Sequence, residues 1–381
     1  MEQQSSILNQ RVYYIDWLRV LAVLLLVPFH SALIFSLDPN NIVYVKDQVE
    51  STFLFCCAGF VHQWHMPLLF VISGMGSWFA LCFRSGGQYV RERVMRLGVP
   101  LAFGLVVLVP PMVYLYRLSQ QSVGSFWSFY PQAFRINMGD LSGRSGSFTP
   151  GHLWFILFLL VYSLLALPLF LWLKSERGRP LIGRLAALME KPGRIYLIAL
   201  VMALSVLVLD LGGMPLLMYF MLFVCGYLFM ADERFMNTIR KHMVLALIIG
   251  TIAAAVILFV ELNLDILEMD WWMSLLVHVV YYISRWSWVV AILGLGQRFL
   301  DKPSKLLRYL SSASYPIYLI HFLVNTAVGM VVVQWDAGIA FKYVVINLAT
   351  FGICFVIYEV IRRFNVLRFL FGMKVRRKVN T

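Results

Sequence analysis

The stretch Trp17-Leu18-Arg19-Val20-Leu21-Ala22-Val23-Leu24-Leu25-Leu26-Val27-Pro28-Phe29-His30-Ser31-Ala32-Leu33-Ile34-Phe35-Ser36 decides the fold. A helix needs about 20 mainly apolar residues, at about 1.5 Å of rise each, to cross a bilayer, and this run supplies them. A signal-peptide core is shorter and ends in a small-residue cleavage pattern, which the segment from His30 to Ser36 lacks. The run is therefore expected to remain as a first membrane helix. Runs of the same kind recur at about 51–83, 98–116, 152–173, 194–212, 215–230, 243–262, 271–297, 309–334 and 340–363. The expected fold is an all-α integral membrane protein of about ten transmembrane helices. Residues 11–365 form the membrane domain, followed by a basic tail, 366–381, that holds Lys374, Arg376, Arg377 and Lys378.

Composition points the same way. Across 381 residues, 61% are hydrophobic and only 13% charged, against about 25% charged in a soluble domain. Mean hydropathy is +0.78. Disorder, collagen and coiled coils are excluded, and the spans leave no room for a soluble domain between them. The net charge of +13 does not imply nucleic acid, because the basic residues alternate with the spans. With the N-terminus in the cytoplasm, Arg84, Arg91, Arg93, Arg96, Lys174, Arg177, Arg179, Arg184, Lys302, Lys305 and Arg308 fall inside. Lys46, Arg117, Arg135, Arg144 and Lys342 fall outside, beside acids such as Asp47, Glu50, Glu261, Asp265, Glu268 and Asp270. The positive-inside rule then places both termini in the cytoplasm. The five cysteines (Cys56, Cys57, Cys82, Cys225, Cys354) lie within or beside spans and show no disulfide or metal spacing.

An ionisable side chain inside hydrocarbon costs about 2.5–3.5 kcal/mol on insertion scales, so each asks for a partner or a function. His30, His62, His65, His278 and His321 lie inside spans, as does Arg285. On the first helix, Arg19 and His30 are separated by about three turns, or about 16 Å, and share a face. Asp16 sits one turn before Arg19 at the cytoplasmic edge. An interfacial Asp16–Arg19 pair, with His30 bonded to a neighbouring helix, would be the structural explanation. His62 and His65 are three apart but have no evident third ligand, which is weak ground for a metal. Ser73-Gly74 fits small-residue helix packing as well as a polar cavity. Arg93 and Arg96 have the spacing of a phosphate-binding pair, though positive-inside charge looks the same. His152 and Trp154 open the fourth span at its outer end, and Tyr315-Pro316-Ile317-Tyr318 leads to His321 near the inner end of the ninth. The long outer connection from Arg117 to Gly151 is rich in Ser, Gly and aromatics, and suits either a lid or a tolerated surface loop. No acid lies at mid-membrane, no matching broken-helix repeats are seen, and there is no P-loop, dinucleotide fingerprint or nucleophile elbow.

The pattern Arg19, ten residues, His30, then Arg93-Val94-Met95-Arg96, then Tyr315-Pro316-Ile317-Tyr318-Leu319-Ile320-His321 resembles the membrane acyltransferase-3 family over nearly the whole chain. Pro28-Phe29-His30, Phe70-Val71-Ile72-Ser73-Gly74 and His152-Leu153-Trp154-Phe155 add to the likeness. The resemblance implies a cytoplasmic acyl-CoA donor and an acceptor hydroxyl often carried by an extracytoplasmic or cell-surface glycan, and from the residues no metal is expected. It implies a multi-pass enzyme of the bacterial inner membrane that transfers an acetyl or succinyl group. His30 would be the catalytic base or, alternatively, would form a covalent acyl-histidine. Asp16 would be the second catalytic residue. Arg19, Arg93 and Arg96 would hold the donor phosphates, and His62, His65, Ser73, His152, Trp154, Arg285 and His321 would line the substrate cavity. Two other classes compete with this expectation: a carrier exporting an anionic or acylated small molecule, and a non-catalytic assembly or sensor subunit.

Overall fold

A computed structural model describes residues 12–37, 45–120, 124–137, 145–206, 208, 210–211, 214–264 and 269–376. Regular structure among them is helical, apart from one antiparallel ladder of β1 (Asp210–Leu211) with β2 (Met214–Pro215). The helices are α1 (Tyr13–Leu33), α2 (Thr52–Phe83), α3 (Gly86–Gln120), α4 (Trp154–Leu165), α5 (Leu167–Lys174), α6 (Arg179–Met189), α7 (Leu197–Ser205), α8 (Leu216–Ala231), α9 (Glu233–Asn263), α10 (Trp271–Phe299), α11 (Lys305–Val332), α12 (Ile339–Ile361) and α13 (Asn365–Leu370).

Seven of these, α1, α2, α3, α9, α10, α11 and α12, are long and apolar enough to cross a membrane. The stretch expected as a fourth span is bent by 46° between α4 and α5. Pro168 in the first turn of α5 accounts for the break, because it has no N–H to continue the ladder. Counted as one span, the bent pair makes eight. The segments expected as fifth and sixth spans hold shorter helices: α7 has 9 residues after a 3-residue 3₁₀ turn, and α8 has 16. At 1.5 Å per residue neither reaches the ~30 Å hydrocarbon thickness.

The chain divides into two compact units. The first comprises Met1–Arg19, Gly59–Val90 and Tyr162–Ser304. Within it α9 and α10 pair along their length, and a Cβ on Gly294 would run into Met243. Where α2 crosses α8, a Cβ on Gly74 would collide with the Phe223 carbonyl and one on Gly226 with the Val71 carbonyl. Glycine on both helices is what lets the backbones touch, the small-residue mode of membrane packing. Trp286 is fully buried and donates its indole N–H to the Ile195 carbonyl at 2.9 Å.

The second unit comprises Val20–Ala58, Arg91–Val161 and Lys305–Thr381. Its core is built on α11, whose Ala313, Ile317 and Leu319 are fully buried. Ala32, Ile34, Phe35, Leu54, Ala58, Val332 and Ile346 form one apolar cluster. Beside it, Lys342 at the start of α12 pairs with Asp47 at 2.7 Å, with both side chains buried, and also donates to the Val333 carbonyl. The α3 helix contains two π turns, Val94–Gly98 and Gly104–Leu108. The described part of the long connection folds back on α3: Tyr130 donates to the Val106 carbonyl and Phe129 is buried, while Trp127 projects outward.

Candidate active site

In the second unit, α11 carries Tyr318, Phe322 and Asn325 on one face with His321 beside them, the i, i+3/i+4, i+7 spacing of a helix stripe. His321 bonds through Nδ1 to the Tyr318 carbonyl at 2.7 Å. A carbonyl only accepts, so Nδ1 carries the proton and the basic lone pair lies on Nε2. His152, in the 3₁₀ turn Gly151–Leu153, bonds through Nε2 to the Leu319 carbonyl at 3.0 Å, which places its proton on Nε2 and its lone pair on Nδ1. That Nδ1 is buried and has no hydrogen-bond partner among the described residues. Tyr318 donates its hydroxyl to the His152 carbonyl at 2.6 Å, locking the turn to α11.

His30 completes the group. Its ring centroid lies 5.3 Å from that of His321 and 4.4 Å from that of Phe322, and His152 lies 5.4 Å from His321. Two bonds hold this end of α1: Asn325 donates to the Ser31 hydroxyl at 2.8 Å, and Tyr343 donates to the Pro28 carbonyl at 3.2 Å. His152 and His321 are buried, whereas His30 is only half-buried. Trp154 follows directly, with its ring 5.5 Å from Phe158.

Arg93 ends the first α-helical stretch of α3, and Arg96 lies inside the π turn that follows. The wider i→i+5 turn removes the plain α-helical offset that a three-residue spacing implies. Arg96 is ion-paired with Glu92 at 3.2 Å and its side chain is 44% exposed, while its carbonyl accepts from Tyr315 at 2.9 Å. The π turn is thereby tied to the helix that carries His321.

In the first unit, Asp16 and Arg19 form an ion pair at 2.7 Å. Asp16 lies about 21 Å along α1 from His30 by helix rise, so its carboxylate serves Arg19 and does not reach the imidazole. His65 is buried and His62 exposed on α2. Between these two histidines, Gln63 accepts from Ser284 at 2.8 Å. Ser73 spends its hydroxyl on the Leu69 carbonyl of its own helix, and Ser77 in turn accepts from Tyr89. Arg285 is buried, with Nη2 donating to the Tyr281 hydroxyl at 2.6 Å. His278 bonds to the Ala203 carbonyl at 3.2 Å. Among the described residues no group of three His, Cys, Asp or Glu side chains is arranged to hold a metal.

Sequence reasoning overlooked Asn325, Gln63 and Ser284. The signal was available: a neutral amide inside a span, like a charge there, needs a partner.

A multi-pass helical membrane protein with three imidazoles grouped on α1, α11 and the start of α4 has the equipment of a membrane enzyme that moves protons. The profile of the acyltransferase domain family matches residues 12–359. The chain belongs to the acyltransferase-3 family and is an acyltransferase. It is 24% identical to the Glucans biosynthesis protein C of Salmonella agona and to that of Salmonella dublin, over 97% of this chain and 97% of each relative. No solved structure matches it.

Proposed function

We propose that this enzyme is an O-acyltransferase of the bacterial inner membrane that moves an acetyl or succinyl group from cytoplasmic acyl-CoA to a hydroxyl of an extracytoplasmic or cell-surface glycan. In this reading both termini lie in the cytoplasm. The observation that carries it is the half-buried His30 beside two buried histidines whose tautomers are set by backbone carbonyls. A base must meet its substrate, and of the three rings His30 is the one with an open side.

In the reaction, a nitrogen of His30 takes the acceptor hydroxyl proton as the oxygen attacks the thioester carbonyl carbon. The C–S bond then breaks, the ester forms, and the coenzyme A thiolate leaves and recovers the proton from the imidazolium. The neutral His321 imidazole, its ring centroid 5.3 Å from that of His30, lies beside a ring that becomes cationic during turnover. Arg93 and the exposed side chain of Arg96 bind the donor phosphates, a role suited to planar guanidinium forks. The co-substrate is acyl-CoA, with no metal. The glycan acceptor is supported by the name of the relatives, whose likeness runs over 97% of the chain.

The test is CoA release by purified protein in detergent, comparing acetyl-CoA with succinyl-CoA, with and without a crude periplasmic glycan fraction. Glycan-stimulated release should be lost in His30→Ala while donor binding stays near normal. Loss of donor binding in folded His30→Ala would remove the base assignment. Absence of release with either donor from folded wild-type protein would favour a carrier of anionic molecules.

A further inference from the structure

Arg285 sits in the middle of α10 and is 5% exposed. A guanidinium stays charged inside a protein. Among the described residues, no carboxylate lies within ion-pair distance of it. The titratable groups that face it are three phenols: Tyr281 and Tyr282 on α10, and Tyr219 on α8. Nη2 donates to the Tyr281 hydroxyl, Nη1 makes a 3.5 Å contact with the Met218 sulfur, and Nε has no partner among the described residues. The guanidinium carbon lies 4.6 Å from the Tyr281 ring centre and 5.3 Å from that of Tyr282. Aromatic faces offset part of the desolvation of a buried cation, but they supply no counter-charge and no acceptor for Nε.

We propose that Arg285 and Tyr281 form a binding site for a single carboxylate. The unused Nε–H and the second Nη2–H lie along one edge of the guanidinium, the fork that matches a carboxylate. The Tyr281 oxygen accepts from Arg285, so its own proton remains to be donated, and no acceptor for it is present among the described residues. Three donors thus remain around one positive charge that has no counter-charge among the described residues. Tyr281 is half-buried and marks the open side. A monoanion balances the site, whereas a phosphate monoester, at about −1.5 to −2, would leave net negative charge among three phenols. This inference stands apart from acyl transfer, because it is read out by binding and not by turnover.

The experiment is thermal unfolding of the full-length protein in detergent at constant ionic strength. Sodium chloride, acetate, glucuronate, inorganic phosphate and laurate serve as separate probes. Acetate, glucuronate or laurate should raise the midpoint saturably, by about 2–5 °C over chloride. Laurate acting alone would assign the carboxylate to a lipid, and the soluble acids acting alone to a small acid or sugar acid. Arg285→Gln should unfold at a higher temperature than wild type in chloride, since it removes an uncompensated charge, and should not respond to carboxylates. Tyr281→Phe should keep the fold and bind carboxylate about tenfold more weakly. The proposal is overturned if chloride or phosphate stabilises as much as the carboxylates, if no probe moves the wild-type midpoint, or if either variant keeps the wild-type response.

Discussion

At the scale of single residues, the imidazole cluster depends on one phenol. Tyr318 bonds to the carbonyl of His152, and the Tyr318 carbonyl sets the His321 tautomer. Tyr318→Phe keeps the ring and the carbonyl but frees the His152 turn. The expected result is a fall in kcat of up to about tenfold with KM for the acyl donor unchanged, and a stability loss of about 1 kcal/mol. Steady-state kinetics with a glycan acceptor, read beside the unfolding midpoint, checks both. An unchanged kcat would show that the turn is held by other contacts. The histidines themselves could be picked out from the chain, because a titratable group in hydrocarbon has to be explained. Their convergence could not: His30, His152 and His321 lie far apart in sequence, and only the packing of α11 against its neighbours brings the rings together. Arg285 was equally visible as a cation inside a span, but that no carboxylate among the described residues stands beside it is a tertiary fact.

At the scale of elements, the segment before α2 is tied to the start of α12 by Lys342 and Asp47, whose side chains are 7% and 2% exposed. Lys342→Met leaves a buried carboxylate without its cation, and should cost about 3–5 kcal/mol. Adding Asp47→Leu should recover most of that loss, since a buried pair replaced by apolar groups is often neutral. A double-mutant cycle on unfolding midpoints would reveal the coupling, and additive losses would mean that the pair is not a unit. At the start of α9, Asp232 caps the helix by accepting from the Arg234 N–H at 3.0 Å, and it also binds the Arg234 guanidinium at 2.8 Å. The side-chain bond to Arg234 holds the Asp232 carboxyl below its ordinary value near 3.8, outweighing partial burial. A depressed carboxyl stabilises the folded state above that value, and the contribution fades as pH falls below it toward the folded value. Asp232→Asn should therefore flatten the acid side of the stability profile below about pH 4 while leaving the neutral side shifted by a constant amount. Element boundaries followed the same division. The apolar runs are plain in the sequence, but hydropathy joins α4 and α5 into one run across Pro168, and the π turns in α3 depend on hydrogen-bond register, which hydropathy does not encode.

At the scale of the whole molecule, the chain has too little charge to cover a water-facing surface, and the character of a multi-pass membrane protein follows from that shortage alone. Orientation rests on a finer asymmetry. Arginines and lysines gather in the short connection after α5, at Lys174, Arg177, Arg179 and Arg184, whereas the much longer connection after α3 holds Arg135 and Arg144 alone. Translocation of short basic loops is disfavoured, so the first connection should face the cytoplasm and the second the outside. In a variant with Cys56, Cys57, Cys82, Cys225 and Cys354 replaced, Ser128→Cys and Ser175→Cys place single thiols at exposed positions in these two connections. A membrane-impermeant maleimide applied to cells whose outer envelope has been opened should label Ser128→Cys within minutes and leave Ser175→Cys unlabelled until the inner membrane is disrupted. The reverse pattern would turn the molecule over, and the half-buried side of His30 would then have to receive its acyl donor from outside the cell, where no coenzyme A thioester is made. Labelling of both positions in intact inner membranes would instead mean an even number of crossings between the connections after α3 and α5, so that the bent α4–α5 pair enters and leaves on one side rather than spanning.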